Sequence, residues 1–98
     1  MSAYIIVQVE VHDPATFKKY ADAVPATIKQ YGGKYCVRGG AVETKEGDWN
    51  PKRMVILEFP DMATAHKWYD SPEYQAIIGD RLDASKAQMV FVEGYEGA

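Results

Sequence analysis

A single cysteine, Cys36, stands among 98 residues, so one chain holds neither a disulfide framework nor a cysteine metal knuckle, and a reducing compartment suits it. Basic runs are missing as well. Eleven Lys and Arg against fourteen Asp and Glu give a formal net charge of -3, which excludes a nucleic-acid footprint or a basic membrane-surface patch. No apolar run approaches a membrane span, and Met1-Ser2-Ala3 leads into a strand pattern without the basic region of a signal peptide. The expectation is a cytoplasmic protein with no nucleic-acid and no membrane partner. His12 and His66 are too few and too scattered for the three or four convergent ligands of a metal site, so neither metal nor cofactor is expected. Gly32-Gly33 follows a helix pattern rather than a strand, which excludes a phosphate-cradling loop, and there is no nucleophile elbow. Without internal repeat, low-complexity tract or linker, the chain predicts one domain over 1–98.

What is there is patterned apolar sequence. From Ala3 to Val11 the chain alternates, with Ile5, Val7, Val9 and Val11 on one face and Tyr4, Ile6, Gln8 and Glu10 on the other. Asp13-Pro14 opens a helix that carries Phe17, Tyr20, Ala21, Val24, Ile28 and Tyr31 at helical spacing until Gly32-Gly33, with a kink or restart expected at Pro25. Lys34 to Thr44 predicts a second strand, with Cys36 and Arg38 on one face and Gly39-Gly40 marking a bulge or a close approach. A loop over Lys45–Pro51 carries Trp49, which is expected to pack on a partner or its own domain. Arg53 to Phe59 forms a third strand stopped by Pro60. In an antiparallel hairpin, charge alone aligns Arg38 with Glu58 and Glu43 with Arg53.

Asp61 then opens a helix to Asp70, and Ser71-Pro72 caps a second helical piece whose stripe is Tyr74, Ile77, Ile78 and Leu82. Ala87 to Tyr95 is a fourth strand ended by Gly94 and Gly97. Strand, helix, strand, strand, helix, strand is the α+β, ferredoxin-like βαββαβ arrangement: a four-stranded antiparallel sheet with helices on one face. The uncovered face is expected to collect Tyr4, Ile6, Gln8 and Glu10 with Cys36, Arg38, Met54, Ile56, Glu58, Met89 and Phe91. Its apolar part predicts a homodimer packed through the open sheet faces, with the charges around a cavity.

The ordered stretches Tyr31-Gly32-Gly33-Lys34-Tyr35-Cys36-Val37-Arg38-Gly39-Gly40, Arg53 through Phe59-Pro60, and Trp68-Tyr69-Asp70-Ser71-Pro72-Glu73-Tyr74-Gln75 followed by Arg81 resemble the family known as domain of unknown function 1330. The resemblance covers nearly the whole chain. It implies a dimeric α+β barrel, within the wider superfamily that includes antibiotic-biosynthesis monooxygenases, muconolactone isomerases and haem-degrading enzymes. It implies no particular reaction, and no motif of those enzymes matches here.

Arg38 and Glu58 are the pair on which chemistry is expected to turn. Arg38 would bind a carboxylate while Glu58 orients it or acts as base, and the competing reading is an ordinary cross-strand ion pair. Trp68, Tyr69 and Tyr74 either wall a substrate pocket or belong to the core. Arg81 faces the same rim or forms a surface pair, and Cys36 is either a nucleophile or an inert apolar residue. Two functions follow: a small cofactor-independent enzyme (isomerase, lyase or monooxygenase) acting on a carboxylate-bearing small molecule, or a non-catalytic dimeric metabolite-binding or interaction module.

Overall fold

Ala3, Ile5, Val7 and Val9 are buried on one side of the first strand, β1 (Ala3–Val11), as the alternation requires. The computed structural model describes residues 1–96; Gly97, expected among the residues that end the last strand, lies outside them. The remaining elements follow in order: α1 (Pro14–Gln30), β2 (Lys34–Arg38), β3 (Met54–Phe59), α2 (Met62–Tyr69), α3 (Pro72–Gln75), α4 (Ile78–Ala84) and β4 (Ser85–Glu93). The strands pair antiparallel in the order β2-β3-β1-β4, which is the ferredoxin-like sheet, and helices cover one face of it.

Local chemistry sets the helix starts. Asp13 accepts from the Thr16 amide at 3.2 Å, Asp61 from the Thr64 amide at 2.7 Å, and Ser71 from the Tyr74 amide at 3.1 Å. Behind these caps Trp68, Tyr74, Phe59 and Ile5 form the centre of the core. The stripe expected to run from Tyr74 to Leu82 breaks at Ala76–Ile77, where α3 ends and α4 begins, so Leu82 is exposed and Arg81 takes the inward position. Among the described residues no helix is long and apolar enough to cross a membrane.

Three expectations about the sheet are corrected. Strand β2 ends at Arg38 rather than Thr44, and residues 39–50 are exposed. The side chain of Trp49 nevertheless reaches back to the sheet, where its indole N–H donates to Gln8 Oε1 at 2.6 Å.

The hairpin register differs from the charge alignment: Lys34 faces Glu58, Arg38 faces Val55, and a bulge lies between Tyr35 and Val37. The extra residue is Cys36, not Gly39-Gly40, and it turns Arg38 to the helix side while Glu58 stays on the open side. Glu43 lies outside the strands and has Lys45, not Arg53, as its ionic neighbour at 3.8 Å.

In β4, Met89 and Phe91 pair with Val7 and Ile5 and so face the helices, whereas Val90 and Val92 occupy the open face. Both faces of that strand are apolar, so alternation alone does not say which points inward.

Helix α1 runs through Pro25 as one element. Proline lacks the N–H that would bond the carbonyl four residues back, which here belongs to Ala21. Arg38 Nη2 donates to that carbonyl at 2.9 Å.

Candidate functional site

The bulge at Cys36 and the parity of β3 bring arginines under the helices. Arg53 precedes β3 and shares the parity of Val55, Leu57 and Phe59, so its guanidinium lies on the helix side, 6.0 Å from the Phe17 ring centre. Arg38 stacks over Tyr35 at 4.7 Å, and Arg81 of α4 stands 6.0 Å from the Tyr20 ring. These three arginines, with Phe17, Tyr20, Tyr35 and Trp68 and an aliphatic wall of Val7, Val9, Val55, Leu57 and Met89, line one cavity between sheet and helices. Its volume is about 40 Å³. That is room for about three water-sized groups.

The charge in this cavity is one-sided. Among the described residues lining it there is no carboxylate, imidazole or thiol. Arg81 is only 6% exposed, and the Nε atoms of both Arg81 and Arg53 have no hydrogen-bond partner among the described residues. A buried charge without a counter-ion is costly, and stacking on aromatic faces offsets part of that cost.

Phenols complete the inner end. The Tyr20 and Tyr74 hydroxyls share a hydrogen bond of 2.8 Å in the core. Burial, with the Tyr74 hydroxyl adding to it and Arg81 opposing it, holds the Tyr20 phenol far above its ordinary value. Burial likewise raises Tyr35 against the pull of Arg38 and Arg53. Burial opposes the charge of Arg81, but the phenols of Tyr74, Tyr20 and Tyr69 outweigh it and raise the guanidinium pKa. Near neutral pH the Tyr20 and Tyr35 phenols therefore keep their protons and do not act as bases.

Glu58 belongs elsewhere. On the open face its carboxylate has Lys34 Nζ at 3.4 Å and accepts from Cys36 Sγ at 3.8 Å, and its pKa is lowered, first by Ser2 and then by Lys34. It shares no cavity with Arg38. What burial Cys36 has, with the Glu58 carboxylate beside it, pushes the thiol up, so it is not a ready thiolate.

The sequence matches the family described as Domain of unknown function (DUF1330) over residues 2–95. The chain belongs to this family. No curated protein matches it. Among solved structures, a protein of unknown function from Rhodopseudomonas palustris resembles the DUF1330 chain with TM-score 0.78 at 14% identity, over 98% of this chain and 84% of the other. A dimeric ferredoxin-like protein of unknown function from Jannaschia sp. CCS1 gives 0.69 at 14% identity, covering 96% and 100%. SnoaB, a cofactor-independent oxygenase from Streptomyces nogalater, gives 0.65 at 13% identity, covering 98% and 95%. At such identities these likenesses show the fold.

Of the expected site residues in this DUF1330 chain, Arg38, Arg81 and Trp68 come together on the cavity. Trp68 is also fully buried core, its indole N–H donating to Thr27 Oγ1 at 3.0 Å. Tyr74 stands one layer behind, bonded to Tyr20, and Tyr69 packs edge-on to Phe91 at 5.9 Å. Arg53, Tyr20, Tyr35 and Phe17 were not foreseen there. Strand parity was the available signal for Arg53, since it shares the buried side of β3.

Proposed function

We propose that the chain binds a small carboxylate-bearing organic molecule in the cavity beneath its helices, with Arg38, Arg53 and Arg81 as its anion contacts. One observation carries the reading: three guanidiniums line an apolar pocket without a carboxylate among the described lining residues, and two of them keep an unpartnered Nε. Arginine forks suit planar carboxylates better than any other side chain does. Recognition is favoured over turnover because that lining offers no group to accept a proton near neutral pH.

The second reading, cofactor-independent catalysis on such a molecule, is favoured by the Tyr20–Tyr74 hydroxyl pair beside Arg81, which would donate a hydrogen bond to negative charge developing on a bound substrate. Turnover of a bound carboxylate, lost in Tyr20→Phe, separates this from simple binding.

We further infer a homodimer packed through the open sheet face. Support comes from Val90 and Val92, 57% and 44% exposed beside Ile6 and Ile56, and from the dimeric protein of like fold. The exposed free thiol of Cys36 suits the cytoplasm, and the net charge of -3 suits neither nucleic acid nor an anionic membrane.

A thermal-shift screen of small carboxylates at constant ionic strength tests the proposed function. A ligand of the folded state raises the melting temperature by mass action. Stabilisation of the wild type that is lost in Arg53→Gln and Arg81→Met supports the site, while an unchanged melting temperature with every acid contradicts it.

A further inference from the structure

The arginines of the cavity form two poles, and from that division we infer that the ligand is a short aliphatic dicarboxylate, one acid group at each pole. This rests on the cavity being an anion site.

The outer pole is Arg38 with Arg53. Strand β2 ends at Arg38, and the next residue, Gly39, donates its N–H to Met54 O at 2.9 Å, with its α-carbon directly beneath the Arg53 guanidinium. Gly39 has φ +71, a conformation glycine adopts without penalty, and a Cβ there would fall on Arg53 Nη1. Both arginines therefore reach the cavity from the end of the hairpin. Both also act on the same phenol, that of Tyr35.

The inner pole is Arg81 with the bonded hydroxyls of Tyr20 and Tyr74. A pair of rings along one wall connects the poles: Arg53 sits 6.0 Å from Phe17, Arg81 sits 6.0 Å from Tyr20, and the ring centres of Phe17 and Tyr20 are 5.8 Å apart. The opposite wall, Val7, Val55, Leu57 and Met89, is aliphatic.

This arrangement selects by the number of charges the ligand carries. A monocarboxylate neutralises one pole and leaves the other Nε unpartnered, and inorganic phosphate reaches one pole only. A chain of about one to three methylenes carrying two carboxylates places apolar atoms against the aliphatic wall and a carboxylate at each arginine pole.

The test is calorimetric titration of the full chain at fixed ionic strength with malonate, succinate and glutarate, against acetate, propionate, butyrate and inorganic phosphate. At least one dicarboxylate is expected to bind about tenfold or more tightly than the monocarboxylate of equal length, since each charge-assisted contact adds at least that factor. In Arg53→Gln this preference should collapse towards onefold while monocarboxylate affinity persists at Arg81. The exposed Arg38→Gln gives a second, milder loss of the same preference. Equal affinity for mono- and dicarboxylates overturns the two-pole inference and leaves the anion site standing. Tightest binding by phosphate overturns the ligand class. No binding by any anion overturns the anion site itself.

Discussion

Arg38 supplies the hydrogen bond that Pro25 withholds from Ala21. The helix carbonyl at Ala21 has no N–H four residues on, and the guanidinium that would greet a ligand at the cavity mouth donates to it at 2.9 Å. Binding residue and helix repair are thus one side chain. Arg38→Gln is expected to cost stability with Pro25 in place and to cost less by about 0.5–1 kcal/mol in a Pro25→Ala background, where the restored amide satisfies the carbonyl. Denaturant melts of the four proteins measure this coupling, and equal losses in both backgrounds would refute it.

The buried Tyr20–Tyr74 hydroxyl pair should behave as a unit. Either Tyr→Phe change strands the partner hydroxyl and is expected to cost about 1–2 kcal/mol, whereas the double change removes both polar groups and costs less than the sum. Additive losses in equilibrium unfolding would show that the two hydroxyls do not depend on each other.

Gly33 is held small by its neighbours. A Cβ there would sit 2.5 Å from Phe59 Cε1 and 2.9 Å from Ile28 Cγ2, both in the buried core. Gly33→Ala is expected to destabilise by about 1–3 kcal/mol through overpacking. Gly40→Ala, where nothing lies within 4 Å, should fall within about 0.5 kcal/mol of wild type. Comparable losses at the two sites would remove steric crowding as the cause.

Acid should unfold the protein through its carboxylate contacts. Hydrogen bonds from Thr16 to Asp13, from Thr64 to Asp61 and from Tyr31 to Glu73 lower all three carboxyl pKa values below the ordinary 3.8 and 4.5. With depressed folded-state values the unfolded chain takes up protons first as the pH falls. The stability these groups contribute is therefore present above the ordinary carboxylate range and is lost on descending through the folded values. Melting temperature recorded from neutral to strongly acidic pH should fall on the acid side, and less steeply in Asp13→Asn/Asp61→Asn, which keeps cap acceptors without their titration. An identical acid slope in the variant would locate the effect elsewhere.

The element order and helix starts were legible because alternation and caps are local: β1 spans the expected Ala3–Val11, and Asp13, Asp61 and Ser71 all cap as read. Faces were harder. A bulge at Cys36 leaves no residue signature, yet it moves Arg38 from one side of the sheet to the other and separates it from Glu58. Arg81 is seven residues from Tyr74, but the turn between α3 and α4 decides that it faces inward and Leu82 outward. The arginine cluster is assembled by three distant segments, so no local pattern announces it.

The most direct test of an anion site is to watch the arginines themselves. In the assigned nitrogen-proton spectrum, titration with malonate, succinate and glutarate in turn at fixed ionic strength should, for at least one of them, move the side-chain Nε–H signals of Arg53 and Arg81 along one saturating curve, because these are the buried donors without a partner among the described residues. If both signals stay in place with all three acids, the cavity does not bind the anion and the account is wrong.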